Sequence, residues 1–556
     1  MSGSIASAVL PQPESLSLAE QVAQMVVVRA SGYLFDHEIQ YPAWEASNQK
    51  LQYYLQELGV GGVILLGGSA AEVGVRSQLL QSLATVPLLI AADIEEGVGQ
   101  RFRGATGFPP PMALEPIAQR DLTQALTYAE QFGAVTAQEA LAMGLNWVLA
   151  PVVDINNNPA NPVINVRAFG QSPQIVRELT SAFIRGAKVH PVLTTAKHFP
   201  GHGDTDIDSH LELPLISHDI ERLNQIEFEP FRGAIASGVD TIMTAHLQVP
   251  ALDSQYPATL SRATLTHTLR ENLGFDGLIV TDALIMGAIT KAYGPYEAAV
   301  LAVEAGADVL LMPSDPEGVI KAVGEAVTVG RLSEERILAS LERIWRAKQK
   351  TASLLTIPPE SCHSWEHVSP PAVQLDLLAQ PQSRQVAAEI LNASATVEGV
   401  LRVESAAAKD NIVIVDDVVN CTFLGRTADA IALPQKLGYT LKLLDNQACH
   451  QLPNPETLRP SLLQLFIRGN PFRSSASLTQ VAETWFRALL KAQYLQALII
   501  YGSPYALDQF LPHLSKAIPY AFTYGQMPEA QTQVLTALFG LSQSRTSPSN
   551  DHAFTD

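Results

Sequence analysis

The chain has 556 residues with 36 basic against 55 acidic side chains, a formal net charge of −19. That surplus of negative charge repels nucleic acid and anionic membranes, and it equally serves plain solubility. Apolar residues make up 47% of the chain and mean hydropathy is +0.11, so there is material for large cores and disorder is excluded as the general state. Cys362, Cys421 and Cys449 form neither a disulfide framework nor a CxxC metal site. No apolar run reaches the roughly 18 residues of a membrane span. The opening lacks a basic segment followed by an apolar one, so a cytoplasmic location is expected.

In chain order, about eight strand-like runs appear in the first part: 24–30, 62–67, 86–93, 145–155, 192–199, 240–248, 277–284 and 307–313. They are apolar without polar alternation, the pattern of strands buried on both faces. Helix-like stretches lie between them, such as 121–144 and 294–306, each with glycine near its end. Repeated βα units read as an α/β fold, a (β/α)₈ TIM-type barrel; an open doubly wound sheet is the alternative. Polar residues at the end of nearly every strand favour the barrel. The helical run 333–350 gives way to the proline-rich TIPPESCHSWEHVSPPAVQ at 356–374. Beyond it, apolar runs at 411–417, 439–445, 462–469 and 496–502 predict a smaller, sandwich-like α/β domain. The expected layout is a catalytic domain over 1–355, a linker over 356–375, a second domain over 376–540 and a disordered tail over 541–556. The second domain carries no nucleotide fingerprint.

The stretch AKHFPGHGDTDIDSHLELP at 196–214 concentrates Lys197, His198, His202, Asp204, Asp206, Asp208 and His210 after a strand, with Gly201 and Gly203 expected to give mobility. A metal site and a solvated acidic loop are the bland alternatives; metal ligands usually sit at tighter spacing on fixed elements. Asp282 ends the apolar IVTD, which projects a carboxylate from a rigid strand or caps a following helix.

The 196–214 stretch resembles the KHFPGHG…DSH signature of bacterial family 3 glycoside hydrolases of the β-N-acetylglucosaminidase type. DIEEGVGQRF (93–102), NPVINVRAFG (161–170), MTAHLQVPALD (243–253), PATLSR (257–262) and FDGLIVTDAL (275–284) resemble further segments of that family, in its order. The resemblance covers roughly residues 15–350 and departs at Glu96–Val98, where the family often has Gly-Gly-Arg.

The resemblance implies a retaining exo-β-N-acetylglucosaminidase. Asp282 is then the nucleophile, and Asp208 with His210 the acid/base dyad. A histidine titrates near neutrality and so can give and then take a proton. Asp93, Arg101, Arg167, Lys197 and His198 are implied substrate-binding residues, although each cation could instead be a structural ion-pair partner. His246 either faces the pocket or is packed. No cofactor and no metal are expected. The implied substrate is a small carbohydrate or muropeptide, in peptidoglycan recycling; neither nucleic acid nor membrane is an expected partner. A phosphorylase using phosphate in place of water, a β-glucosidase of the same fold and an inactive binding protein are the competing readings.

Overall fold

A computed structural model describes residues 8–205, 213–351, 367–368, 370–403, 408–419, 421–445, 453–468 and 476–541. The chain forms two compact units, residues 1–390 with 469–474, and residues 391–468 with 475–556.

The first unit is built on eight parallel strands: β1 (Val26–Ser31), β2 (Gly62–Leu66), β3 (Leu89–Ala92), β4 (Trp147–Val148), β5 (Leu193–Phe199), β6 (Thr241–Thr244), β7 (Leu278–Val280) and β8 (Leu310–Leu311). Each pairs with its chain neighbour, and β8 pairs with β1 through Val26↔Leu310. A bridge between Val280 and Val309 joins β7 to β8 and closes the ring, so the fold is a TIM-type barrel and not an open sheet. All seven residues of β5 and all four of β6 are buried, because helices cover the outer face and side chains fill the interior.

Inside the barrel, the Trp147 indole and two threonine hydroxyls satisfy one another. The Trp147 indole N–H lies 2.9 Å from Thr195 Oγ1 and 3.2 Å from Thr241 Oγ1, and the two hydroxyls are 2.6 Å apart. Several of the covering helices start on side-chain caps. Ser17 with Glu20 and Ser69 with Glu72 form reciprocal capping boxes. The helix Leu122–Ala142 starts on Asp121, whose carboxylate accepts the Gln124 N–H. Its buried stripe Ala125, Tyr128, Ala129, Phe132, Thr136 repeats at three and four residues, as a barrel-facing helix requires.

Of the proline-rich segment, residues 352–366 and 369 lie outside the described residues. His367–Val368 pairs antiparallel with Ala8–Val9. The Gln374 N–H then donates to Ala142 O at 2.8 Å, and Ala379 N–H to Glu139 Oε1 at 2.8 Å.

The second unit holds a six-stranded sheet of β9 (Thr396–Glu398), β10 (Lys409–Val415), β11 (Tyr439–Leu444), β12 (Ser461–Ile467), β13 (Leu495–Gly502) and β14 (Tyr520–Thr523). Their order is β9-β14-β13-β12-β10-β11, with only β9 antiparallel. Its core is one apolar cluster including Val413, Leu462, Phe466, Ile499 and Tyr501. Among its buried polar groups, Gln464 Nε2 donates to Asn411 Oδ1 at 2.7 Å and Tyr501 OH to Gln464 Oε1 at 2.8 Å, while the buried Asp410 faces Lys442 Nζ at 2.7 Å. The tail residues 542–556 lie outside the described residues.

Candidate active site

The C-terminal ends of parallel barrel strands share one rim, where βα loops build active sites in this architecture. Asp93 and Glu95 follow β3, Asp154 follows β4, Lys197 and His198 end β5, His246 follows β6 and Asp282 follows β7.

The centre of the rim is a buried four-charge cluster. Lys197 Nζ lies 2.7 Å from Asp93 Oδ1 and 2.6 Å from Glu95 Oε1. Arg167, on the single turn Asn165–Arg167, clamps the same Glu95 through two bonds of 2.8 Å. Burial pushes the Glu95 carboxyl up, but Arg167 and then Lys197 outweigh it and hold that carboxyl well below the usual range. Burial also opposes charge on Lys197, and Asp93 and Glu95 overcome it, so its ammonium is held above its ordinary value. The four charges sum to zero. Asp93 keeps a side-chain exposure of 35% and is the member open to a ligand. Arg101 is exposed and donates from Nε to the Asp93 carbonyl at 3.0 Å.

A second buried group sits beside it. Asp154 accepts the His198 Nδ1–H at 2.7 Å and the His202 backbone N–H at 2.7 Å. An ionised carboxylate only accepts, so the hydrogen sits on Nδ1 and leaves Nε2 of a neutral His198 ring as an acceptor. Burial raises the Asp154 carboxyl, but His198 and then His202 bring it below its ordinary value. Burial drives His202 the other way, down to about 4, with Asp154 and Asp282 only partly offsetting it. His202 is therefore a neutral ring at working pH. Its Nδ1 lies 3.1 Å from Thr205 Oγ1, and that hydroxyl also reaches the His202 carbonyl at 3.3 Å.

Asn161 locks this segment from below. Its amide donates to His202 O at 2.8 Å and Gly203 O at 2.9 Å, while its own oxygen accepts Val163 N–H and Ile164 N–H. A side chain on Gly203 would place Cβ 1.6 Å from Ile155 O. The expectation that Gly203 gives mobility is thus corrected: this glycine lets two backbones pack against each other, and the segment is pinned.

Asp282 is half-buried, and its Oδ1 accepts the Ala283 N–H at 2.7 Å. The next helix, Gly287–Tyr293, starts from Met286, so Asp282 is not that helix's cap. The base under Asp282 is rigid. Its N–H lies 3.4 Å from Thr244 Oγ1, which lies 2.9 Å from Thr259 Oγ1. His246 is fully buried between Thr259 Oγ1 at 2.8 Å and Ala283 O at 3.1 Å, so it is packed beside the Asp282 turn.

Asp206, Asp208 and His210 lie outside the described residues. On either side of them, Asp204, His218 and Glu227 bring ligand atoms within 4.8 Å of one another, the one such group among the described residues. Arg222 supplies the cation there: its guanidinium is 2.8 Å from Asp204 Oδ2 and 3.5 Å from Glu227 Oε1.

Glu95, Asp154 and Asn161 are site-building residues that the sequence reading did not select, and His202, singled out there within the 196–214 cluster, was given no role of its own. Asp154 carried a signal, a charge closing the apolar APVVD run. Among the described residues no helix is long and apolar enough to cross a membrane.

Residues 17–347 match the Glycosyl hydrolase family 3 N terminal domain, and residues 402–540 match the Bacterial Glycosyl hydrolase family 3 C-terminal domain. The chain is similar to the "Beta-hexosaminidase A" of Pseudoalteromonas piscicida, 33% identical over 378 residues, or 62% of this chain and 60% of that protein. It is similar to the "Beta-N-acetylglucosaminidase/beta-glucosidase" of Cellulomonas fimi, 31% identical over 54% of each. The chain thus spans less than two thirds of either relative's length. A solved family 3 β-N-acetylglucosaminidase from Paenibacillus sp. str. FPU-7 superposes with a TM-score of 0.75 at 29% identity, covering 95% of this chain and 97% of that one. With a barrel closed around this charged rim and a family match over more than half its length, the chain belongs to glycosyl hydrolase family 3.

Proposed function

We propose that this protein is a retaining exo-β-N-acetylglucosaminidase, with Asp282 as nucleophile and Asp208/His210 as acid/base dyad. The observation that carries the reading is the convergence of Asp282 and the Asp93–Glu95–Lys197–Arg167 cluster on one rim. A sugar needs hydroxyl-binding groups of fixed charge beside a carboxylate aimed at the anomeric carbon, and that rim offers both. The likeness to a β-N-acetylglucosaminidase over almost the whole of both chains supports the choice of substrate.

In the first step an Asp282 oxygen bonds to the anomeric carbon while protonated His210 gives its proton to the departing aglycone oxygen. In the second, now-neutral His210 takes a proton from water, whose oxygen displaces Asp282 and restores the starting states. The Ala283 N–H on Oδ1 orients the nucleophile. Asp93, Lys197, Arg167, His198 and Arg101 serve the sugar, Arg167 chiefly by fixing Glu95, and Glu95 by fixing Lys197. A cytoplasmic enzyme acting on muropeptide fragments in peptidoglycan recycling fits this chemistry and the acidic surface.

The test is a panel of aryl β-glycosides assayed with and without phosphate. Turnover of the N-acetylglucosaminide well above the glucoside, unchanged by phosphate, is the expected result. Preference for the glucoside, or a sugar 1-phosphate product in phosphate buffer, would overturn the reading.

A further inference from the structure

Donors outnumber acceptors on the part of the rim built by β3 to β5. The side chains of Lys197, Arg101 and Arg167 carry N–H groups and accept nothing. Both oxygens of Glu95 are taken, by Lys197 and the Arg167 guanidinium, and its side chain is only 3% exposed. The Asp154 side chain is fully buried. A sugar hydroxyl that accepts from one of these cations must still place its own hydrogen. On this part of the rim, the groups named here that can receive it are Asp93 and the outer nitrogen of His198.

His198 can receive it in one form of its ring only. A neutral imidazole has one N–H and one bare nitrogen, and either nitrogen can carry the hydrogen. Asp154 settles which. Its Oδ2 lies 2.7 Å from His198 Nδ1. Its two oxygens also receive the His198 backbone N–H, at 3.1 and 3.2 Å, and the His202 backbone N–H at 2.7 Å. The two backbone contacts are enough to fasten the turn. The third, to the ring, puts the ring hydrogen on Nδ1 and bears on what a ligand meets. The His198 side chain keeps 8% exposure, and among the described residues no hydrogen bond is made to its Nε2.

We propose that Asp154 is a positioning residue that fixes His198 as a hydrogen-bond acceptor, so that the site demands one sugar hydroxyl able to donate there. The inference rests on the reading of His198 as a sugar-binding residue. Asp154 touches no substrate in this role; it acts through the imidazole. A buried polar group left without its partner costs enough to lower turnover by about 10–10²-fold, which sets the scale of the demand.

The experiment measures kcat/KM on full-length protein for a nitrophenyl N-acetylglucosaminide and for analogues in which each free sugar hydroxyl in turn is replaced by hydrogen or by fluorine. Fluorine accepts weakly and cannot donate. Wild type, His198→Ala and Asp154→Asn are compared on the same analogues, so the inductive effect of fluorine cancels between variants. The expected result is one hydroxyl whose replacement by either atom costs wild type about 10–10²-fold, a loss that is absent in His198→Ala. Asparagine keeps an oxygen for the two backbone N–H groups, but its amide donates to Nδ1 and moves the ring hydrogen to Nε2. Asp154→Asn should therefore lose about 10–10²-fold on the parent sugar and lose its sensitivity to that one hydroxyl, with the other hydroxyls counting as before. A variant that merely loosened the fold would keep every hydroxyl penalty of wild type. That pattern in Asp154→Asn, with one penalty abolished in His198→Ala, overturns the role of Asp154 alone. Wild-type penalties throughout in His198→Ala overturn the sugar-binding reading of His198 and the inference with it. If Asp154→Asn does not fold, wild type and His198→Ala still decide. An equal His198-dependent loss with hydrogen and with fluorine supports an accepting Nε2, and a loss with hydrogen alone means that Nε2 donates and overturns the proposal.

Discussion

Lys197 and Lys348 are buried alike, each 1% exposed, at opposite ends of the same barrel. Lys197 closes β5 at the rim and faces two carboxylates, and its charge is reinforced. Lys348 ends the helix Glu334–Lys350 at the other end of the barrel. Its Nζ meets a neutral oxygen, Gln24 Oε1 at 2.7 Å, and lies 5.6 Å from the Trp345 ring centre. Burial there pushes the ammonium down to about 7. Equal burial therefore gives opposite charge states, and the partners decide which. At the rim, buried charges come in neutralised sets that a ligand with several hydroxyls can share. At the far end the buried Lys348 amine has no acid within ion-pair distance among the described residues.

Exchanging each lysine for methionine breaks the comparison most sharply. Lys197→Met leaves Asp93 without its ammonium and Glu95 with Arg167 alone, and under the proposed function it removes a sugar contact. We expect a loss of about 10²–10³-fold in kcat/KM. Stability should drop by about 3–5 kcal/mol in denaturant titration, because the buried carboxylates lose a partner. Unchanged activity in this variant would mean the cluster belongs to the fold and not to the substrate.

A smaller effect belongs to His202. The folded ring gains its proton only near pH 4, the unfolded one near 6.5, so between those values the folded state binds fewer protons. Stability therefore falls as pH drops from about 6.5 to 4, by about 2–3 kcal/mol. His202→Gln should flatten that part of a stability-against-pH curve, and an equally steep curve would assign the acid sensitivity elsewhere.

The smallest effect is expected for Lys348→Met. Unfolded Lys348 keeps its proton up to about pH 10.5 and folded Lys348 only to about 7, so wild-type stability rises with pH across that window. The methionine variant should lose this slope, gain about 2 kcal/mol near pH 7 and keep full activity. Destabilisation at pH 7 would show that the amine does more than endure its burial.

Much of this was legible in the sequence, and the parts that were not share a cause. Seven of the eight barrel strands lie inside the apolar runs that announced them, and β1 passes its run by Ser31 alone, because a strand buried on both faces has few polar positions to blur it. Their lengths were less visible. The 145–155 run shortens to Trp147–Val148, where Pro151 lacks the N–H that continued pairing needs. In the second sheet, β9 and β14 were missed because each is three or four residues long, and β9 is exposed or half-exposed along its length. Asp282 was readable since it ends an apolar strand within a motif. Glu95 was not singled out, because its roles come from Lys197 and Arg167, about 100 and 70 positions away. Pairings over such distances follow from barrel closure, which local spacing does not encode. The sequence also offered Lys197 and Arg167 either as hydroxyl donors or as ion-pair partners; the geometry shows the ion pairs, and the hydroxyl-binding role belongs to the proposed function.

The central claim, that Asp282 is the nucleophile of a β-N-acetylglucosaminidase, is tested most directly by covalent trapping. A fluorinated, mechanism-based glycosyl fluoride of N-acetylglucosamine forms the first intermediate and hydrolyses slowly, so the labelled peptide can be located by mass spectrometry. The account predicts one sugar per chain, attached to Asp282 in the peptide that contains IVTDAL, and no labelling of Asp282→Ala. A sugar on any other residue, or label persisting in Asp282→Ala, would contradict it.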